Sequence, residues 1–123
     1  MLKIVVAFKR KPGLTRQEFS AYYFEHHAPL ARRVIPRDVA VGIVHYVQNH
    51  ALDAGDPEPP YDCITEIGFA DLDAMNRWLA WYEGPEGKVL RDDEDKFADQ
   101  SSRTDVVTRA LVPGRDTLEG SSA

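Results

Sequence analysis

The chain has 123 residues, enough for one domain with a modest core, so a sizeable cavity is expected to need a second subunit for part of its wall. With 43% hydrophobic and 28% charged residues, the composition is that of a folded globular domain and not of a disordered segment. A net charge of −5 and a pI near 5.3 argue against a nucleic-acid or anionic-membrane partner, because both reward basic patches.

The sole cysteine, Cys63, allows no internal disulfide and no cysteine-based zinc site. The apolar N-terminal stretch is too short to span a bilayer and lacks the charged start and cleavage site of a signal peptide, so the expected compartment is the cytoplasm.

Residues 2–9, rich in Ile, Val and Phe and followed by Lys11-Pro12-Gly13, read as a first strand. Thr15 with Glu18 three residues on is a capping box opening a helix. That helix carries Phe19, Tyr22, Tyr23, His26 and Leu30 on one face, and Pro29 is expected to kink or stop it near His27. Residues 39–50 alternate as a second strand, and 53–60 form a loop by composition. Residues 61–70 alternate as a third strand. Asp71 caps a helix with the apolar face Leu72, Met75, Leu79 and Tyr82, and Trp78 beside it. Gly84-Pro85 breaks it, and Pro85 starts a further short helix through Val89, Leu90 and Phe97. Residues 104–112 are a fourth strand, and the polar tail 114–123 is expected to be mobile, leaving 1–113 as the domain.

Strand, helix, strand, strand, helix, strand is the order of a ferredoxin-like α+β domain, an antiparallel sheet with helices on one face. The other face is itself partly apolar (Val44, Tyr46, Ile64), so a second copy is expected to cover it, closing a dimeric α/β barrel.

Alternation groups Val44, Tyr46, Gln48 and His50 on one face of the second strand, and Asp62, Ile64, Glu66 and Gly68 on one face of the third. Pairing His50 with Asp62 sets Gln48 against Ile64, Tyr46 against Glu66 and Val44 against Gly68. This set is expected to line the dimer cavity, with Asp62 orienting His50 or His27 as a base and Tyr46 donating a hydrogen bond to a substrate oxygen. The opposite set, Val39, Val41, Ile43 and Val47 with Cys63, Ile67 and Phe69, then faces the helices. A slip of one residue would reverse these faces.

Several stretches together carry a family resemblance. They are Lys11-Pro12-Gly13-Leu14, then Phe19-x-x-Tyr22-Tyr23-x-x-x-His27-x-Pro29-Leu30, then Tyr46-Val47-Gln48-Asn49-His50, and Tyr61-Asp62-x-x-x-Glu66-x-x-Phe69. In order and spacing the chain resembles the EthD family of small dimeric α/β-barrel proteins over most of residues 3–112. At Tyr23, where tryptophan is expected in many relatives, the chain keeps an aromatic and adds a hydroxyl, and Tyr23 joins the binding candidates. The resemblance implies the barrel, the dimer, a soluble bacterial-type protein and an association with breakdown of ethers or other organic compounds. It does not imply one reaction.

Adjacent helical positions lie about 100° apart, so His26 and His27 cannot face one ligand. Periodicity places His26 in the apolar stripe as an interior histidine. The family pattern and the position at the helix end favour His27, which we take as the catalytic candidate. Asp62 and Glu66 stand about 13 Å apart along a strand, whereas paired-carboxylate glycosidases need roughly 5 to 9.5 Å, so each acts alone. The run Asp92-Asp93-Glu94-Asp95 lacks the spaced ligands and glycine of a calcium loop and reads as a solvated helix face. Trp78, Trp81 and Tyr82 read as core and interface, with Trp81 off the main stripe and open to a partner or ligand. Glycine-rich phosphate loops, GxSxG and HExxH are absent.

The expected function is that of a cofactor-independent enzyme acting on an apolar or aromatic metabolite, with no metal or other cofactor. The alternatives are a non-catalytic accessory protein that binds a hydrophobic metabolite for an oxidising system, and a haem-dependent enzyme of the same barrel type.

Overall fold

The computed structural model describes residues 1–52 and 58–114. The expected tail and most of the expected loop at 53–60 lie outside the described residues. Four antiparallel strands form one sheet in the order β2-β3-β1-β4: β1 Leu2–Arg10, β2 Ile43–His50, β3 Cys63–Phe69 and β4 Ala98–Arg109. The helices are α1 Arg16–Tyr22, α2 Ala28–Val34, α3 Arg37–Ala40, α4 Leu72–Glu83 and α5 Lys88–Glu94. This is the expected ferredoxin-like arrangement.

In β1, Ile4, Val6 and Phe8 alternate inward and are buried on the helix side. The capping box forms as spaced: Glu18 N–H donates to Thr15 Oγ1 at 3.0 Å, and Thr15 N–H donates to Glu18 Oε1 at 2.9 Å. The helix does not stop at Pro29. Residues Tyr23–His27 form one π turn between α1 and α2, in which Ala28 N–H reaches back to Tyr23 O. Pro29 has no N–H to continue the regular ladder, and the wider turn absorbs that loss. It also moves residues four apart toward one face. Phe19, Tyr23 and His27 are therefore buried, while His26, expected in the interior, is exposed and stacks on Tyr22.

The second strand is shorter than expected. Val39 sits in the short helix α3, buried against the core, and β2 begins only after Gly42. A Cβ at Gly42 would lie 2.6 Å from the Ala74 Cβ, so only glycine admits this approach of the chain to α4. A register shift between Ile43 and His45 then lets Val44 stand out from the ladder. The fourth strand starts earlier than expected, at Ala98, because the polar run after it pairs along β1 as a sheet edge.

The β2–β3 register overturns the expected pairing. His50 opposes Cys63, Gln48 opposes Thr65, Tyr46 opposes Ile67 and Val47 opposes Glu66. Tyr46, Gln48 and His50 therefore share the helix side with Thr65 and Ile67. Asp62, Ile64 and Glu66 do not join them. Asp62 is held instead at the end of β1: Arg10 N–H donates to its Oδ2 at 2.8 Å, Arg10 Nη1 to its Oδ1 at 2.7 Å, and Arg16 Nε lies 3.5 Å away. Arg10 and Arg16 thus claim the carboxylate that the expected pairing assigns to His50.

Between sheet and helices, Phe8, Phe19, Tyr22, Tyr23 and His27 all pack on Phe97, with ring centroids 4.8 to 6.3 Å apart. A second group stacks Trp78 on Tyr82 and tilts it against Trp81. Trp81, expected to be open to a partner, is buried.

Candidate active site

A cavity of about 830 Å³ opens between the helix-side face of the sheet and the helices of the same chain. This cavity lies on the helix side of the sheet, whereas the expected one lies between the sheets of two copies. The cavity has the size of small-molecule sites in general. Its floor carries Tyr46, Gln48 and Thr65, and its walls carry Tyr23, His27, Trp78 and Phe97. Glu94 and Arg103 add charge to an otherwise mostly apolar lining.

His27 is 7% exposed and its Nδ1 lies 2.8 Å from Asp93 Oδ2. Tyr22 donates its hydroxyl to Asp93 Oδ1 at 2.6 Å, and Lys96 Nζ stands 3.6 Å away. Burial by itself would raise the Asp93 carboxyl, but the hydrogen bonds from Tyr22 and His27 outweigh it and hold the group below the ordinary aspartate value. Burial also pushes the Tyr22 hydroxyl up to about 12, so it stays a donor at physiological pH. A carboxylate that accepts from Nδ1–H fixes the imidazole tautomer and leaves Nε2 as the basic nitrogen. This is the geometry of an oriented general base.

The Tyr23 hydroxyl meets Thr65 Oγ1 at 2.7 Å, which satisfies a threonine only 3% exposed. Gln48 donates to the Tyr46 hydroxyl at 2.7 Å and accepts from His50 Nε2 at 2.8 Å, while His50 Nδ1 meets Ser20 Oγ at 2.9 Å. Burial lowers the His50 pKa, keeping the ring neutral in this chain of hydrogen bonds.

Of the residues expected at the site, Tyr23, His27, Tyr46 and Gln48 line the cavity. His50 supports Gln48 from outside the lining. Asp62 orients neither histidine, because His27 is held by Asp93 and Asp62 by the arginines. Ile64 and Glu66 lie on the open face of the sheet. There Lys3 Nζ binds Glu66 Oε1 at 2.7 Å, His45 and Asn49 add further contacts, and the Lys3 bond holds the carboxyl down at about 2.

The site residues that sequence reasoning missed are Asp93, Glu94 and Arg103. Asp93 and Glu94 follow Leu90 by three and four positions, so the helical stripe that buries Leu90 also turns these two carboxylates inward. That spacing was available in the sequence, but the acidic run around it concealed the signal.

Asp62 tests its own reassignment. Asp62→Asn is expected to destabilise the fold by about 2 kcal/mol, because hydrogen bonds to charged groups at a buried carboxylate are lost. Thermal denaturation would measure this. A melting temperature within a degree of wild type would show that the clasp between β1 and β3 adds nothing.

The fold and the site together define a ferredoxin-like α+β domain with an internal cavity of small-molecule size. The EthD domain model matches residues 11–101, and the chain belongs to the EthD family. It is similar in structure to an EthD family protein from Bacillus halodurans, with a TM-score of 0.61 and 22% identity over 90% of this chain and 100% of that one. A dimeric ferredoxin-like protein from Bacteroides fragilis matches with a TM-score of 0.57 and 14% identity, over 89% and 95%. Another dimeric ferredoxin-like protein, from Jannaschia, gives 0.56 and 13%, over 89% and 98%. No curated protein matches the chain. Among the described residues no helix is long and apolar enough to cross a membrane, and no group of three or more His, Cys, Asp or Glu side chains could hold a metal ion.

Proposed function

We propose that the protein is a cofactor-independent acid–base enzyme acting on an apolar or aromatic small molecule. The supporting observation is the His27–Asp93 pair at 2.8 Å, set in the wall of a largely apolar cavity. A carboxylate that orients a histidine in a cavity wall suits proton abstraction, because it holds the tautomer with the free nitrogen as base. The aromatic walls supply the binding area for a flat substrate. Isomerase and cofactor-independent oxygenase chemistries begin with such a proton transfer, and a decarboxylase uses the same group to protonate the carbanion left by loss of CO2.

A panel of aromatic ketones, lactones and hydroxyaromatic acids, incubated with the protein and followed by mass spectrometry, tests this reading. Conversion of at least one compound that His27→Asn loses is the expected result. Binding in the cavity with no conversion of any compound would instead favour the accessory binding protein.

We also infer a homodimer. The open sheet face exposes Ile64 at 42% and Val106 at 55%, with Val44 at 53% standing out beside it, and two neighbours of the same fold are dimeric. Light scattering is expected to give twice the 13.9 kDa of one chain. A monomer mass at micromolar concentration would refute the pairing.

A further inference from the structure

The cavity holds a second proton-handling cluster that the His27–Asp93 pair does not use. Glu94 follows Asp93 on α5, lines the same cavity and has a side chain 13% exposed. Tyr82 of α4 donates its hydroxyl to the Glu94 carboxyl group. Arg103 of β4 donates to the Tyr82 hydroxyl at 2.9 Å and stands 3.6 Å from Glu94. The guanidinium is already engaged by Asp105, at 2.9 and 3.3 Å, so its charge has a counter-ion without Glu94.

The groups acting on Glu94 are Tyr82 from α4, Arg103 from β4, His27 from the π turn and Asp95 next in the chain. Burial raises the Glu94 carboxyl and prevails over the opposing Tyr82 hydrogen bond and the Arg103 and His27 charges. The carboxyl therefore keeps its proton to higher pH than an ordinary glutamic acid. A base and an acid thus occupy successive residue pairs of one wall, with environments that separate their roles.

We propose that Glu94 is a second catalytic residue, acting as the acid toward His27 as base, and that the substrate class is a flat aromatic carbonyl compound with an enolisable C–H. The inference rests on the acid–base reading of His27. His27 Nε2 takes the proton from the carbon next to the carbonyl. The C–H electron pair becomes the enol C=C bond, the carbonyl π pair moves to oxygen, and that oxygen takes the Glu94 proton. The imidazolium then returns a proton to the same carbon or to its conjugated partner, while the Glu94 carboxylate recovers the enol proton. The net change is a proton relocation with no oxidant or reductant. Trp78, Tyr23 and Phe97 would hold the ring, and Tyr82 would position the carboxyl.

The probe is 2-tetralone, a flat bicyclic ketone whose C1 protons exchange in D2O and are followed by proton NMR. Wild type is expected to accelerate the exchange, and Glu94→Gln to lower it about 100-fold while removing the fall of kcat/KM at high pH. Tyr82→Phe is expected to move that fall upward in pH, because the phenol no longer favours the charged carboxylate. If Glu94→Gln stays within threefold of wild type while His27→Asn is inactive, this inference fails and the acid–base reading stands. No acceleration by wild type overturns the substrate class. Should Glu94→Gln fail to fold, wild type labelled with ¹³C at the glutamate carboxyls decides. Every such carboxyl titrating in the ordinary glutamate range would overturn the proposal.

Discussion

His27→Asn is expected to lower turnover about a thousandfold while the protein stays folded. Asn is smaller than His and leaves Asp93 with two partners, the Tyr22 hydroxyl at 2.6 Å and Lys96 at 3.6 Å, so the buried carboxylate is not stranded. The role of Asp93 can be separated by its tautomer effect. In Asp93→Asn the single amide oxygen is claimed by the Tyr22 hydroxyl, which turns the amide NH2 toward His27 Nδ1. The imidazole then carries its proton on Nε2, and the base facing the cavity is lost. Turnover should fall about a hundredfold or more, as for other misoriented catalytic histidines. Adding Tyr22→Phe frees the amide oxygen to accept from Nδ1–H and should return part of the activity. A double variant no better than Asp93→Asn would count against the tautomer account, and full activity in His27→Asn would sink the base assignment.

The pH dependence of stability carries the same signature. Because Asp93 is held below its ordinary value, its contribution is present above the unfolded aspartate value and is lost as pH falls through the folded one. Asp93→Asn should therefore flatten the acid side of the stability profile, below about pH 4.

Phe97→Ala is expected to cost about 4 kcal/mol, the largest stability loss of any single change considered. Phe97 is 1% exposed and touches five rings, from Phe8 on the sheet to His27 at the cavity. Its deletion leaves a hole bounded by rigid aromatics that cannot close over it. The melting temperature should fall by roughly 15 °C at about 4 °C per kcal/mol. Activity measured well below the transition should fall as well, since the ring 4.9 Å from His27 fixes the edge of the imidazole. Denaturant unfolding with an unchanged slope would attribute the loss to the native core. A loss under about 1 kcal/mol would mean that the cluster repacks freely.

The order of strands and helices was legible in the sequence because its signals are local. The Thr15–Glu18 capping box, the Asp71 cap and the Gly84-Pro85 break each act within one helical turn, and each forms as spaced. The family could be read for a related reason, since its motifs are short segments in a set order. The site was only half legible. His27 was singled out over His26, yet the reason it turns inward, a π turn that offsets the missing N–H of Pro29, is a three-dimensional adjustment that straight helical periodicity misses.

The remainder depends on residues far apart in the chain. The β2–β3 register sets His50 opposite Cys63 and leaves Asp62 to Arg10, 52 positions away, and a one-residue change in pairing re-sorts every side chain on the two strands. Asp93 and Glu94 look like part of a solvated acidic run until α5 packs over the cavity. Tyr22 and His27 then receive one carboxylate, and Tyr82 receives the other. Whether a charge is surface or site is set by the partners that satisfy it on burial, and those partners are brought together by packing between elements, which short-range pattern does not encode.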